Sequence, residues 1–491
     1  MEQQQQQSNE ASFSDGSLLD AIIDNGKMAR NEYQRDAAKD IIGAFVNQIV
    51  DGSMTVDQDL ITMVNRRIAE IDQLVSLQLD AVMHNADVQK LESAWRGLNY
   101  LVMNSETGTG LKIKVIPMSK KELFNDLDRA AEFDQSNLFK KIYEEEFGTL
   151  GGNPFSMLIG DYQFGRHPQD MALIEKVASV AAAAHAPFVT SPSPELFDME
   201  SFQQLSDPRD LSKQFESNEL IKWRSFRESD DSRYIAMALP RVLMRLPYGP
   251  DTIPVDGFNY VESVSGKDHD KYCWGNAAYA LGTCITKAFA EYGWTAAIRG
   301  VEGGGLVEGL PVHTFPSDDG DIAVKCPTEI AIGDRREKEL SDLGFMSLCY
   351  SKNSDFAAFF GGQTVQKPKK YESPDATANA KLSSQLPFIL VASRFAHYLK
   401  AIMRDKIGSF QSKGNVETFL NNWIGNYVNN MEDAGQETKA RYPLFEARVD
   451  VTDIAGKPGE YQAVAYLRPH FQLEGLTTSL RLVAKLPKSA A

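Results

Sequence analysis

Seven histidines and four cysteines are the side chains of this chain best suited to nucleophilic, acid–base or metal chemistry. The histidines are His84, His167, His185, His269, His313, His397 and His470, and no two of them have metal-ligand spacing. None stands beside a credible nucleophile in sequence, although sequence order says nothing of a triad assembled in space. Cys273, Cys284, Cys326 and Cys349 match neither a zinc nor a thioredoxin spacing. Their apolar surroundings, as in Leu348-Cys349-Tyr350, predict small buried hydrophobes in a reducing compartment. The glycine run from Gly300 to Gly309 carries two glutamates and lacks the lysine of a phosphate loop, which predicts a turn or flexible loop. Asp318-Asp319-Gly320-Asp321 lacks both the loop pattern and the distal glutamate of a calcium site, so an exposed acidic turn is expected. No P-loop, H-E-x-x-H or G-x-S-x-G motif is present. The expectation is a protein with no catalytic, cofactor-binding or metal residues, and not an enzyme.

The elements that would have to position any site are mixed. Residues 1–16 are Gln/Ser-rich and read as a disordered tail. Residues 17–30 begin with Ser17 and Asp20 as a capping pair, and Leu18, Leu19, Ile22 and Ile23 fall on one face of a short helix. Such an island is either a strap on its own domain or a motif that folds on a partner. Residues 36–104 show helical periodicity, for example Leu91, Trp95, Leu98 and Leu101. Residues 105–365 form a mixed α/β region. It has predicted strands at Leu111–Ile116, Phe155–Gly160, Phe188–Thr190, Thr295–Arg299, Glu329–Ile332 and Phe345–Ser351. Helices are predicted at Gln169–Ala184, Ala277–Tyr292 and Asp334–Leu343, and 190–260 reads as irregular. Strand 155–160, helix 169–184 and strand 188–190 make a βαβ-like unit. That unit keeps open an alternative, an α/β enzyme or nucleotide-binding protein with a dispersed site, although Asp161–Gly165 is no glycine cradle.

Residues 366–385 read as a linker or surface loop, and 386–491 as a C-terminal domain. That domain has helices over Pro387–Ile407 and Val416–Met431, then strands near 445–452, 461–473 and 479–486. On the first helix Val391, Phe395, Tyr398, Leu399 and Ile402 share a face, and Arg394, His397, Lys400 and Arg404 lie across from it. This basic row reads as a solvated face with acid partners in its own chain, or as a contact for an acidic protein surface.

Bulk properties narrow the class. The 491 residues are 43% hydrophobic and 10% aromatic, enough for several packed cores. A net charge of −16 disfavours nucleic acid and anionic membrane as partners. The Gln-rich start has neither a basic nor an apolar signal region, and no apolar run approaches a membrane span, so a cytoplasmic protein without direct membrane insertion is expected.

Four segments together carry a resemblance. They are Glu92–Leu98 (ESAWRGL), Glu145–Asp161 (EEFGTLGGNPFSMLIGD), Ser393–Gly408 and Tyr466–Pro487. The chain resembles the large subunit of the type VI secretion contractile sheath (the TssC/VipB/EvpB type) over nearly all its length beyond residue 17 or so. The resemblance implies a mixed α/β (α+β) multi-domain fold with a C-terminal domain like phage tail sheath cores. It implies a heterodimer with the small sheath subunit, and polymerisation of heterodimers into a helical tube around the inner Hcp tube. It also implies assembly on an envelope-anchored baseplate, contraction, and disassembly by the ClpV unfoldase. The same resemblance makes Leu18, Leu19, Ile22 and Ile23 the unfoldase-binding motif. It makes Tyr461, Leu467, Phe471, Leu473, Leu480, Leu482 and Leu486 inter-subunit strand residues, and Arg394, His397, Lys400 and Arg404 a possible inner-tube contact.

Overall fold

The computed structural model describes residues 23, 26, 29, 31–51, 60–317, 320–407, 412–454, 461–470 and 472. The chain forms two compact units. One comprises residues up to Leu79 with Pro254–Val261; the other comprises Asp80–Ile253 and Glu262–Ala491.

In the smaller unit the expected helical periodicity becomes α1 (Glu32–Val50) and most of α2 (Leu60–Met83). These helices leave Ile41, Ile68, Ile71 and Leu74 exposed.

The larger unit is built on a six-stranded sheet. Its strands are β1 (Leu158–Phe164), β2 (Phe188–Pro192), β3 (Ile235–Leu239), β4 (Leu306–Val307), β5 (Met346–Tyr350) and β6 (Ala357–Phe359), in the order β1-β2-β3-β5-β6-β4. The pairs β1–β2, β2–β3 and β3–β5 are parallel; β6 runs antiparallel to both β5 and β4. Helices α3 (Ala86–Met103), α4 (Lys120–Arg129), α5 (Pro168–Ala184), α6 (Ile221–Glu228) and α7 (Ala277–Tyr292) surround it.

Strand alternation sends β3 side chains to both faces. Ile235, Met237 and Leu239 enter one core with Ile174, Val177, Phe197, Trp223 and Phe345. Ala236 and Ala238 enter another with Leu281, Ile285, Ile298 and Leu390. All five β3 residues are buried, as expected of a central parallel strand. Local signals set the flanking helices. His167 caps α5 with Pro168 behind it, and Asn276 caps α7, which stops at Gly293 in the left-handed region (φ 75°).

Several sequence expectations give way. Leu111–Ile116 has strand-like alternation but pairs with no strand among the described residues, and runs as irregular chain. Thr295–Arg299 and Glu329–Ile332 are likewise not strands; the local hairpin is His313–Pro316 against Ile322–Lys325. The first strand of the βαβ unit sits three residues later than expected, and β3 lies inside the stretch read as irregular. The 366–385 segment is largely exposed, but it is partly ordered rather than wholly irregular. Val365 N–H donates to the Ile235 carbonyl at 2.9 Å, Gln366 is buried, and Ser373 with Pro374 starts helix α8 (Pro374–Ser383).

The C-terminal part has its own core. Helix α9 (Leu386–Asp405) and α10 (Lys413–Gly425) pack on a hairpin of β7 (Leu444–Asp453) and β8 (Tyr461–Pro469). Trp294 stacks on Phe395 at 4.3 Å, and Val391, Leu399, Val416, Leu420, Ile424, Leu444, Val449 and Val451 complete this core. α10 ends at Gly425 rather than Met431, because Val428 turns into a bridge with Leu444. By length and composition α9 could cross a membrane, contrary to the expectation from sequence, yet half of it is buried within the fold.

Candidate assembly interface

The described residues of the family-like segments have packing roles that can be read one by one. In Glu92–Leu98, Glu92 accepts from Arg245 Nε at 2.6 Å and from Arg96 Nε at 2.8 Å. Arg245 also donates to both Glu262 oxygens, at 2.6 and 3.1 Å, and His84 Nε2 lies 3.1 Å from Glu262. A Cβ on Gly97 would collide with the Tyr279 ring, so α3 can approach α7 only with glycine there. Trp95, in the same segment, is 65% exposed.

In Glu145–Asp161, Glu146 pairs with Lys114 and accepts from the Asn153 N–H at 2.7 Å. A Cβ on Gly160 would strike the Phe188 ring across the β1–β2 pair.

A second charged cluster lies at Glu329. Arg241 donates to both its oxygens at 2.8 Å, and His269 Nε2 lies at 3.2 Å. Burial raises the Glu329 pKa, but Arg241 and His269 outweigh that and hold it down at about 2. This is a buried ion cluster of the structural kind. Burial likewise pushes the thiols of Cys273, Cys284 and Cys349 up to about 12, as expected of buried hydrophobes.

The basic row does not form a free outer face. His397 is buried, and its Nε2 lies 2.8 Å from the Ala184 carbonyl. Lys400 Nζ donates to Tyr143 Oη at 3.1 Å and sits 3.6 Å from the centre of the Phe147 ring. Arg404 Nη1 donates to the Thr149 carbonyl at 3.0 Å, and Arg394 lies 4.6 Å from the centre of the Tyr398 ring. The partners are rings, a hydroxyl and carbonyls of the chain itself, not the acids that the solvated-face reading expects. The Lys140–Phe147 stretch that receives Lys400 is π-helical.

The hairpin β7–β8 offers edges. β8 pairs with β7 alone among the described residues. The outer edge of β7 is held by side chains of α10. Asn421 accepts from Val449 N–H at 2.9 Å and donates to Val449 O at 2.7 Å; Glu417 accepts from Val451 N–H at 3.2 Å. Tyr461 and Leu467 of β8 turn their side chains to the hairpin's own core. Phe471, Leu473, Leu480, Leu482 and Leu486 lie outside the described residues, as do Leu18, Leu19 and Ile22. Ile23 is helical and 1% exposed. Sequence reading missed the Asn421 contact. An asparagine on a helix face carries no signal that it will mimic a strand.

Comparison with known proteins gives a consistent result. Residues 65–366 match the EvpB/VC_A0108 tail sheath N-terminal domain, and residues 375–486 match the EvpB/VC_A0108 tail sheath gpW/gp25-like domain. The chain is 50% identical over 463 residues to the type VI secretion system sheath protein TssC1 of Pseudomonas aeruginosa, covering 94% of this chain and 93% of that protein. Among solved structures it is similar to the sheath complex of an extracellular contractile injection system (PVC) in the contracted state. There the TM-score is 0.34 at 8% identity, over 64% of this chain and 68% of that one. It is also similar to the contracted helical sheath of the anti-feeding prophage, with TM-score 0.31 at 10% identity, over 63% and 66%.

Proposed function

The chain belongs to the large-subunit family of the type VI secretion contractile sheath, and from that premise we propose how it works. It pairs with the small sheath subunit, and the heterodimers polymerise in the cytoplasm as a helical tube around the inner Hcp tube. The tube grows on an envelope-anchored baseplate, contracts to drive the inner tube outward, and is taken apart by the ClpV unfoldase. The chain is a structural subunit and no enzyme.

The observation that carries this reading is that two tail sheath domains account for 65–366 and 375–486 of the chain. The β7–β8 hairpin supports it, because a strand edge that accepts a strand from a neighbour makes a heterologous contact, and such contacts build open helical filaments. In this reading the energy of contraction is stored conformational free energy, released as the subunits switch between two packings.

Co-expression with the small subunit tests the reading by electron microscopy. Tubules are expected, and deletion of 479–487 abolishes them while leaving most of the fold. A monodisperse product that never forms tubules with its partner would overturn it.

A further inference from the structure

We propose that the buried ion cluster around Arg245 and Glu262 is a clamp at which an opening that starts in the N-terminal helices stops, so that its rupture is the committed step when the chain is pulled from its N-terminus. The pulling step rests on the unfoldase reading above; the clamp itself does not.

The chain crosses the border of the larger unit at three points, before Asp80, after Ile253 and before Glu262. Each point is tied down inside the larger unit, and the ties share partners. Asp80 is buried in the last turn of α2, and its Oδ2 accepts from the Ser263 N–H at 3.2 Å. One turn on, His84 Nε2 lies 3.1 Å from Glu262. The excursion 254–261 is closed at its base by main-chain bonds. The Gly249 N–H donates to Ile253 O at 3.0 Å, and the Glu262 N–H donates to Tyr248 O at 2.9 Å. The Glu262 carboxylate in turn accepts from the Tyr248 N–H at 2.9 Å.

The network behind these ties is charged and dry. The side chains of Arg245 and Glu262 are 4% and 1% exposed. Arg245 divides its guanidinium between two carboxylates, with Nη1 and Nη2 on Glu262 and Nε on Glu92, and lies 4.7 Å from the centre of the Tyr248 ring. Arg96 donates to Glu92 and to Tyr248 Oη, at 2.8 Å each. Burial raises the Glu92 pKa, but Arg245 and Arg96 outweigh that and hold it below the usual carboxylate range. Separating any one partner strands a charge in dry surroundings, so such a network does not fray bond by bond. The smaller unit is built the other way. Its helices leave Ile41, Ile68, Ile71 and Leu74 exposed, and elements that bury little apolar surface open at low free energy. A soft unit next to a brittle network puts the border of cooperative opening at Asp80 and Glu262.

On the unfoldase reading, the motif at 18–23 precedes the soft unit in sequence. A pull applied there unravels the smaller unit first and then loads Asp80, His84 and Glu262 together.

Hydrogen exchange of the purified pair at low denaturant, followed by mass spectrometry, tests the clamp. Peptides of 32–79 and 254–261 open at a lower free energy than those of 84–103 and 242–248. Glu262→Gln keeps the shape and removes the charge. It speeds exchange at 84–103 and 242–248 about tenfold or more and leaves 32–79 unchanged. Opening of both sets as one unit in wild type overturns the clamp, whether or not the variant folds, and so does a Glu262→Gln chain that exchanges like wild type. With ClpV and ATP, Glu262→Gln shortens extraction about threefold or more at unchanged ClpV binding. Equal extraction times overturn the committed step. A wild-type chain that ClpV does not bind overturns the unfoldase reading and the committed step with it, while the exchange result alone decides the clamp.

Discussion

His397 is a titratable side chain kept neutral by its surroundings. Burial, with Arg394, His185 and Lys400 nearby, takes its pKa down to about 4, although the Ala184 carbonyl pulls the other way. The unfolded chain takes up the proton first as the pH falls, at its ordinary value near 6.5. The stability that His397 contributes is therefore complete above pH ~6.5 and is lost progressively down to pH ~4, up to roughly 3 kcal/mol. His185, 6.3 Å away and also shifted down by burial, adds in the same direction. His397→Gln keeps an N–H for the Ala184 carbonyl but cannot titrate. Thermal unfolding of the purified pair shows a flatter dependence on pH between 6.5 and 4 in this variant than in wild type. Parallel profiles would remove His397 as the source.

At the scale of elements, the edge of β7 is the most exposed to a single change. Asn421 satisfies both main-chain groups of Val449 in place of a neighbouring strand. Asn421→Ala leaves the main-chain groups of buried Val449 without these partners, a loss of about 1–3 kcal/mol. The expected result is earlier aggregation of the unpaired subunit in light scattering, with the helical content unchanged in circular dichroism; equal aggregation times would show that the amide guards nothing.

The same elements show what sequence could tell. α5, α7 and the apolar face of α9 were legible because each has a local signal: a cap with proline for α5, an asparagine cap for α7, and 3.6-residue apolar spacing for α9. β3 was not, since Ile235-Ala-Met-Ala-Leu239 is short, apolar on both faces and poor in β-branched residues. The basic row on α9 was visible, but periodicity names only a face. That the face meets Tyr143, Phe147 and the Thr149 carbonyl is a long-range fact.

For the whole molecule, the proposed function sets the motif at 18–23 and the hairpin at 444–469 on opposite halves of one cycle, disassembly and assembly. Ile23 is already covered within its own chain, so in the proposed disassembly step the unfoldase would have to compete for that side chain. Leu18→Asp with Ile22→Asp abolishes ClpV recruitment in a pull-down and leaves tubule formation intact; undiminished recruitment would reject the motif. The side chains on the β7 edge have a consequence for that cycle. In the proposed assembly, a neighbour's strand added at that edge would swap bonds instead of adding them: an amide and a carboxylate would let go as a backbone takes hold. Departure is the same swap run backwards, so no main-chain group is stranded dry in either direction. A joint made by exchange is reversible by construction, and a polymer so joined can be pulled apart and its subunits used again.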